Sequence, residues 1–224
     1  MALKDNFPKK IFEIRYLPKW IKFVIIISTN WFFQSFLQMD MGEKVFKIIL
    51  ETILFLLNYI VLSTLRINSI IIVILFTHTL YWIFFGNMFL LLKNLHLTKI
   101  PINVFYEYTK KLQRRVQNEN SIVGAAVFGS LSKKTITTSS DLDVILVREK
   151  GIVNWLMGCS FTLKERFFAF SNRFPLDICL LDDLQGFERI NVDEILIILS
   201  DKKGFLRNKY KLFKNLEDID QCHF

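Results

Sequence analysis

The sequence predicts an α/β domain that follows a helical, membrane-associated region. Apolar residues make up 52% of the 224 residues and include 23 Phe, and they are concentrated in the first hundred residues. After Pro101, short apolar runs with the alternation of β-strands follow segments with the spacing of helices, which is typical of an α/β domain. We therefore divide the chain into a membrane-associated region, residues 1–100, and a domain, residues 101–224.

Two apolar runs in the first region are long enough to cross the hydrocarbon core of a bilayer, which takes about 20 residues. They cover about residues 46–65 and 70–92, and a short break that contains Arg66 separates them. Together they predict an all-α transmembrane hairpin. An earlier apolar run, residues 20–39, is interrupted by six Ser, Thr, Asn and Gln residues, so it fits either an interfacial helix or a third span.

The net charge of +8 lies mostly beside these apolar runs. Residues 1–100 carry 11 Lys and Arg against 5 Asp and Glu, whereas residues 101–224 carry 18 against 16. A nucleic-acid-binding domain would concentrate positive charge in its folded part, so this distribution favours a membrane surface over DNA or RNA. Basic residues flank the predicted hairpin on both sides, which places the domain on the cytoplasmic side of the cell membrane.

Two features of this region have alternative interpretations. The apolar helices could form the buried core of a soluble protein, although uninterrupted apolar runs of this length are rare in a domain this small. His78 is an ionisable group deep in the last run, which invites a functional interpretation. The competing interpretation is a neutral His78 that hydrogen-bonds to a neighbouring helix.

Periodicity and turn residues predict the elements of the domain. In chain order they are a helix over 103–118, strands over 123–128 and 142–147, a helix over 153–170, a strand over 176–181, a helical turn over 183–189, a strand over 195–200 and a basic helix over 206–216. The three cysteines show neither metal-ligand spacing nor an even-numbered disulfide framework, so we expect reduced thiols in a cytosolic setting.

Three carboxylates occupy strand positions in the domain. Asp141 and Asp143 open one strand, and alternation places them on one face while Leu142 and Val144 point into the core. Two like charges side by side repel unless a cation lies between them, so the pair predicts a divalent-metal site. Asp177 interrupts an otherwise apolar strand, and a carboxylate that faces a metal costs less there than an uncompensated buried one.

These residues resemble the signature of the nucleotidyltransferase superfamily that includes DNA polymerase beta, and specifically its minimal, single-domain members. The signature is an apolar residue followed by Gly-Ser, about ten residues, and Asp-x-Asp flanked by apolar residues, with a third Asp on a later strand. The matching residues are Phe128-Gly129-Ser130, Asp141-Leu142-Asp143 and Asp177. The similarity covers about Tyr106 to Leu181, a third of the chain.

The resemblance implies a nucleotidyltransferase fold with a small mixed sheet and flanking helices. It also implies an enzyme that transfers a nucleoside monophosphate from a nucleoside triphosphate to a hydroxyl or phosphate acceptor. Asp141, Asp143 and Asp177 would be the catalytic residues and would bind two Mg²⁺ or Mn²⁺ ions. Gly129 would let the backbone approach phosphate closely, and Ser130 would hold the triphosphate tail.

Two lysines in the connecting loop are further candidates for nucleotide binding. Lys133 and Lys134 could neutralise the triphosphate, and a merely solvated loop is the alternative. Many members of the superfamily have an Arg and a Gly shortly after Gly-Ser, whereas this sequence has Leu131-Ser132-Lys133-Lys134. That departure bears on triphosphate affinity and leaves the metal site intact.

Two functions from different classes fit these observations. One is a membrane-anchored nucleotidyltransferase whose acceptor is a lipid-linked or glycan precursor, a sugar phosphate or a protein hydroxyl. The other is a non-catalytic or regulatory module that binds a nucleotide or docks a partner, either antitoxin-like or associated with envelope-glycan synthesis. The presence of all three carboxylates favours catalysis. No acceptor-binding domain is evident, which argues against a template-directed polymerase or a tRNA-tailing enzyme.

Overall fold

The computed structural model describes residues 18–34, 36, 39–67, 69–86, 88–94, 99–182, 194–210 and 212–216. The helices are α1 (Lys19–Phe33), α2 (Met41–Thr64), α3 (Ile70–Phe85), α4 (Met88–Asn94), α5 (Ile102–Asn118), α6 (Ile152–Ser171) and α7 (Phe205–Lys209). The strands are β1 (Ile122–Phe128), β2 (Leu142–Arg148), β3 (Leu176–Leu181), β4 (Leu196–Asp201) and β5 (Phe213–Asn215). The predicted helical turn over 183–189 lies outside the described residues.

The strands form one mixed sheet in the order β3-β2-β1-β4-β5. The central strand β1 is antiparallel to both of its neighbours, β2 and β4. The outer pairs are parallel, β2 with β3 and β4 with β5. The fold is therefore mixed α/β with a five-stranded sheet and flanking helices, which confirms that part of the sequence prediction.

Helices α5 and α6 cover one face of the sheet. Apolar residues of α5 recur at helical spacing, and Phe105, Leu112 and Val116 are fully buried against the sheet. The same core includes Leu142 and Val144 of β2. The opposite face carries a smaller core that α7 covers with its residue Leu206. Because both faces of β1 are covered, all seven of its residues are buried.

The predicted helices and strands that fall on described residues of the domain agree with the structure except at the C-terminus, where the predicted helix over 206–216 is wrong. Helix α7 ends at Lys209, and the chain then forms β5, which pairs in parallel with β4. The Tyr210 side chain is fully buried where the helix stops. The backbone groups of residues 213–215 form hydrogen bonds with the edge of the sheet, whereas in a longer helix they would bond within the helix. Sequence periodicity does not distinguish these two ways of satisfying the backbone.

One helix among the described residues, α2, is long and apolar enough to cross a membrane by length and composition, with a mean hydropathy of 2.1. Only 6% of the 18-residue apolar stretch that has this mean hydropathy is buried. Its exposed apolar residues run from Met41 to Val61, and they include Leu57 at 54% and Ile60 at 61% exposure. A core helix of a soluble protein would bury such side chains, so the soluble-core alternative does not describe α2.

The predicted second span, residues 70–92, is wrong as one continuous helix. Helix α3 ends at Phe85, and α4 begins at Met88 as a separate helix. Between them lies Gly86, a residue of low helix propensity, whose added Cβ would lie 2.6 Å from the Trp82 carbonyl oxygen. With 16 residues, α3 is about 24 Å long and shorter than a hydrocarbon core of about 30 Å. The prediction of an all-α transmembrane hairpin is therefore wrong, because α2 alone among the described helices is long and apolar enough to span a membrane.

Hydrogen bonds between side chains and neighbouring helices connect α1, α2 and α3. Trp82 Nε1 donates to Asn30 Oδ1 (2.7 Å), which joins α3 to α1. Asn58 Nδ2 donates to Thr77 Oγ1 (3.0 Å), which joins α2 to α3. Polar bonds of this kind are a common means of helix association in a membrane. The run over residues 20–39, predicted as an interfacial helix or a third span, forms the 15-residue helix α1, which ends at Phe33.

His78 forms the hydrogen bond to a neighbouring helix that the sequence suggested. Its Nε2 donates to the Trp31 carbonyl oxygen in α1 (3.0 Å), and the two aromatic rings meet edge to face. Its Nδ1 lies 3.7 Å from Glu51 Oε1 in α2. The imidazole therefore connects three helices and has a structural role in their packing.

Candidate functional site

Two of the predicted carboxylates are direct partners across neighbouring strands. Asp143 in β2 is in register with Asp177 in the parallel strand β3. Register partners in adjacent strands lie about 5 Å apart and project from the same face of the sheet. Leu142 and Val144 belong to the core beneath α5 and α6, so both carboxylates lie on the opposite face. Residues 34 positions apart in the sequence are thus brought together.

The third predicted carboxylate, Asp141, lies in the loop immediately before β2 and is half-buried. It is two residues from Asp143, and Asp177 is the most buried of the three at 6% exposure. Within the residues that the structure describes, no group of three or more His, Cys, Asp or Glu side chains is arranged to hold a metal ion. The described geometry is therefore a carboxylate pair with a neighbouring carboxylate in the adjoining loop.

Gly129 lies directly beside this pair, at the end of β1. Its φ is +78°, a left-handed conformation that L side chains adopt at a cost. A Cβ at this position would be 2.5 Å from Asp143 Oδ2, so the absence of a side chain gives the carboxylate its room. The tight approach of residue 129 to the carboxylate pair requires glycine for both reasons.

Ser130 follows with a buried hydroxyl. Its Oγ has no hydrogen-bond partner within the described part of the chain. A buried hydroxyl without a partner is costly, and a bound phosphate oxygen could accept its hydrogen bond. Ser130 directly follows Gly129, the residue that adjoins Asp143.

The connecting loop is anchored and not merely polar. Leu131 and Ile136 are buried in the main core at 1% and 7% exposure. The backbone turns tightly after Gly129, whose carbonyl oxygen accepts hydrogen bonds from the Lys133 N–H (3.2 Å) and the Ser132 hydroxyl (2.9 Å). These contacts hold the Gly-Ser segment in place relative to β1.

The two loop lysines have different environments. The Lys133 ammonium forms an ion pair with Glu194 Oε1 at 2.9 Å, so its charge is already engaged by a carboxylate. Lys134 is exposed and adopts a left-handed backbone conformation, with φ of +58°. A phosphate ligand at Lys133 would have to compete with Glu194, which the sequence did not reveal.

Asp182 connects the apolar helix α2 to the strand that carries Asp177. Its Oδ2 accepts the N–H of Gly42 in the first turn of α2 (3.1 Å), and its Oδ1 accepts from Arg148 Nε (2.7 Å). The Asp182 N–H in turn donates to Asp40 Oδ2, the residue that precedes α2 (3.2 Å). The start of α2 is thereby attached to the end of β3, five residues beyond Asp177.

A buried ion pair strengthens the same junction. Arg166 Nη2 of α6 lies 2.5 Å from Glu43 Oε1 of α2, and the two residues are 6% and 4% exposed. Arg166 Nη2 also donates to the Ile178 carbonyl oxygen in β3 (3.1 Å). None of these junction residues belongs to a motif that is recognisable in the sequence. An acidic residue in the first turn of a helix, here Glu43, was the one available signal.

The two described cysteines fit the expected reduced thiols. Cys159 is buried and Cys179 is half-buried, and neither forms a disulfide. Burial raises the pKa of each thiol to about 12. Both sulfurs therefore stay protonated near neutral pH and are poor nucleophiles. Cys222 lies outside the described residues.

The arrangement is chemically suited to a phosphate ligand that carries a divalent cation. Carboxylates on one face are oxygen ligands of the kind that Mg²⁺ prefers, and the Ser130 hydroxyl can donate to phosphate. No family model matches the sequence, and no curated protein matches it. The functional interpretation therefore depends on these residues and their geometry.

Proposed function

We propose that this protein is a membrane-anchored nucleotidyltransferase with the fold of the nucleotidyltransferase superfamily. It would transfer a nucleoside monophosphate from a nucleoside triphosphate to a hydroxyl or phosphate acceptor. The observation that carries the proposal is the register pairing of Asp143 with Asp177 beside Gly129 and Ser130. The sequence motif alone does not predict that Asp143 and Asp177 are neighbours, because their proximity depends on which strands pair.

The reaction assigns a task to each of these residues. An acceptor oxygen attacks the α-phosphorus while the bond from that phosphorus to the bridging oxygen breaks, and pyrophosphate leaves. Asp143 and Asp177, together with Asp141, would bind divalent cations. Asp177 could also accept the proton of the attacking hydroxyl. Two Mg²⁺ or Mn²⁺ ions, when bound, would supply charge stabilisation for the attacking and leaving oxygens.

The triphosphate would lie against the turn that follows β1. At Gly129 the absence of a Cβ allows close approach of the backbone, and the buried Ser130 hydroxyl would donate to a phosphate oxygen. Lys134 lies in the same loop and is exposed to solvent. To bind the triphosphate, the Lys133 ammonium would have to exchange its ion pair with Glu194 for a phosphate oxygen.

The membrane location of the protein is part of the proposal. The exposed apolar surface of α2 and the polar bonds between α1, α2 and α3 fit a helical assembly in lipid. We place the catalytic domain on the cytoplasmic side, since basic residues flank the apolar helices in the sequence. Such a site would act on an acceptor near the membrane, either lipid-linked, a glycan or a protein.

A second candidate function is a non-catalytic or regulatory module that binds a nucleotide or docks a partner. One observation favours it. Lys133, which could neutralise a triphosphate, is instead paired with Glu194. Such a module would bind a nucleoside triphosphate without transferring it.

Nucleotide binding by the purified protein in detergent tests the site. We expect a nucleoside triphosphate to bind only with Mg²⁺ or Mn²⁺, and we expect the Asp143→Asn/Asp177→Asn variant to lose that binding. Glu107→Gln, which neutralises an exposed carboxylate on α5, is the matched control and should bind normally. Equal metal-dependent binding by the double variant would refute the carboxylate site.

Transfer is then tested with membranes and each labelled nucleoside triphosphate. Label that enters lipid, glycan or protein in the wild type, and not in the double variant, would support the enzyme and identify the acceptor class. Metal-dependent binding without any transferred label would favour the non-catalytic module.

A further inference from the structure

Helix α6 belongs to the α/β domain, yet it presents an apolar stripe to the outside. Ile152, Val153 and Leu156 are 81%, 69% and 51% exposed. Met157 extends this apolar patch, and the next positions on the same side of the helix are Ser160 and the exposed Lys164. Phe167 and Phe168 are 42% and 43% exposed near the end of the helix, where the Phe167 ring contacts Phe84 of α3. A helix that faces water would carry polar residues at these positions, so the exposed apolar residues indicate that this side of α6 lies against an apolar environment.

The exposed charges on α6 and at its two ends are positive. Lys164 lies on the helix, and Lys150 and Arg173 lie just before and just after it. Glu149, which precedes Lys150, forms an ion pair with Lys203. Between residues 150 and 173 the only acidic residue is Glu165, which is 1% exposed and forms a two-fold hydrogen-bonded pair with Arg115. An apolar stripe flanked by cations is the pattern of a helix that lies in the interface of a bilayer.

The position of α6 beneath the apolar helices fits that pattern. Near its start, Trp155 Nε1 donates to the Gly42 carbonyl oxygen in the first turn of α2 (2.9 Å). Near its end, the Phe170 ring meets the ring of Phe84 in the last turn of α3, with centroids 5.1 Å apart. Helix α6 therefore lies across the adjacent ends of α2 and α3.

We infer that the outward face of α6 lies on an anionic bilayer surface, so that the α/β domain itself contacts the membrane. The inference relies on the membrane location in the proposed function. If α2 and α3 enter the bilayer, a helix across their ends is held at its surface. Anionic headgroups would attract Lys150, Lys164 and Arg173. A second copy of this face would instead bring like charges together, which disfavours self-association.

Contact with lipid at α6 can be measured with a fluorescent label on the full chain. Cys179→Ser and Cys222→Ser remove the half-buried thiol and the thiol outside the described region, and Leu156→Cys then provides the labelling site while Cys159 stays buried. The labelled protein is reconstituted in vesicles of phosphatidylcholine with or without phosphatidylglycerol, which contain a spin-labelled lipid as quencher. The control label is Asn208→Cys, an exposed position in α7 on the opposite face of the sheet.

We expect the label at position 156 to be quenched about threefold more than the label at position 208, with stronger quenching when phosphatidylglycerol is present. A label at Val153→Cys repeats the measurement at a second position of the stripe. Equal quenching at positions 156 and 208 would overturn the inference, as would the absence of quenching at position 156 together with disulfide cross-linking between copies of the unlabelled Leu156→Cys protein.

Membrane retention in carbonate is measured on the same samples. A protein that stays in the membrane but shows no contact at position 156 would refute the α6 inference and leave the proposed membrane anchor standing. Release by carbonate would refute the anchor itself.

Discussion

The carboxylate of Asp143 occupies the space that a side chain at Gly129 would need, since a Cβ there would lie 2.5 Å from Asp143 Oδ2. The residue that follows β1 therefore lies beside Asp143, near the start of the neighbouring strand β2. It makes the glycine a requirement of the site and not only of the turn.

The first prediction concerns Gly129→Ala. A φ of +78° is unfavourable for alanine by about 1–2 kcal/mol, and the new methyl group must displace the Asp143 carboxylate. We expect a lower unfolding midpoint and weaker binding of metal and nucleotide. Gly124→Ala in the same strand is the control, because its Cβ would make ordinary contacts of 3.5 Å or more. Equal stability and binding of the two variants would contradict the prediction.

A second prediction concerns the ion pair between α5 and α6. Arg115 Nε and Nη2 donate to the two oxygens of Glu165 at 2.6 and 2.8 Å, and Glu165 is 1% exposed. Arg115→Met should lower the free energy of unfolding by about 3 kcal/mol, because it leaves a buried carboxylate without its cation. Arg114→Met, an exposed neighbour, should change it by less than about 0.5 kcal/mol.

Chemical denaturation in detergent, followed by circular dichroism, measures the free energy of unfolding of Arg115→Met and of Arg114→Met. If Arg115→Met is as stable as Arg114→Met, the buried pair contributes no net stability.

The membrane anchor leads to a third prediction. Leu57 and Ile60 lie on the exposed face of α2, and a lysine near the centre of a spanning helix costs about 2.5–3.5 kcal/mol. Wild-type protein should remain in the membrane pellet after carbonate, whereas Leu57→Lys/Ile60→Lys should reduce that fraction strongly. The matched variant Asn103→Lys/Asn118→Lys adds two lysines at exposed positions of α5 and should behave like wild type. Identical fractionation of both variants would show that α2 does not lie in lipid.

The buried thiols provide a fourth prediction, on reactivity and pH. Burial raises the pKa of Cys159 and of Cys179 from 9.0 to about 12. In the Cys222→Ser protein at pH 8, a disulfide reagent should modify the native state slowly and both thiols rapidly after unfolding. Fast modification of the native protein would contradict their burial.

The raised pKa of the two thiols also determines how the stability of the protein changes at alkaline pH. Between pH 9 and 12 the unfolded chain loses its thiol protons while the folded protein keeps them, so the unfolded state binds fewer protons. The contribution of the thiols to stability is complete below pH 9 and falls as pH rises towards 12. Cys159→Ala should reduce this part of the pH dependence, which denaturation midpoints between pH 8 and 11 would measure.

The strands and the main helices were predictable because their signals are local. Alternation placed Leu142 and Val144 in the core and left Asp143 on the other face, as the structure shows. The break after Phe85 was harder to predict, because apolar residues continue on both sides of Gly86. The C-terminal strand was missed since Phe213 pairs with Leu196, and a partner 17 residues earlier leaves no local pattern.

By itself, the sequence determined the class of the fold, the order of the motif parts and the apolar character of the N-terminal helices. Only the tertiary structure decided that Asp177 pairs with Asp143, that Lys133 is engaged by Glu194, and that α6 lies across the ends of α2 and α3. The physical reason is the range of the interactions. Periodicity reports which face of an element is buried, whereas strand register and ion pairs depend on how distant segments pack.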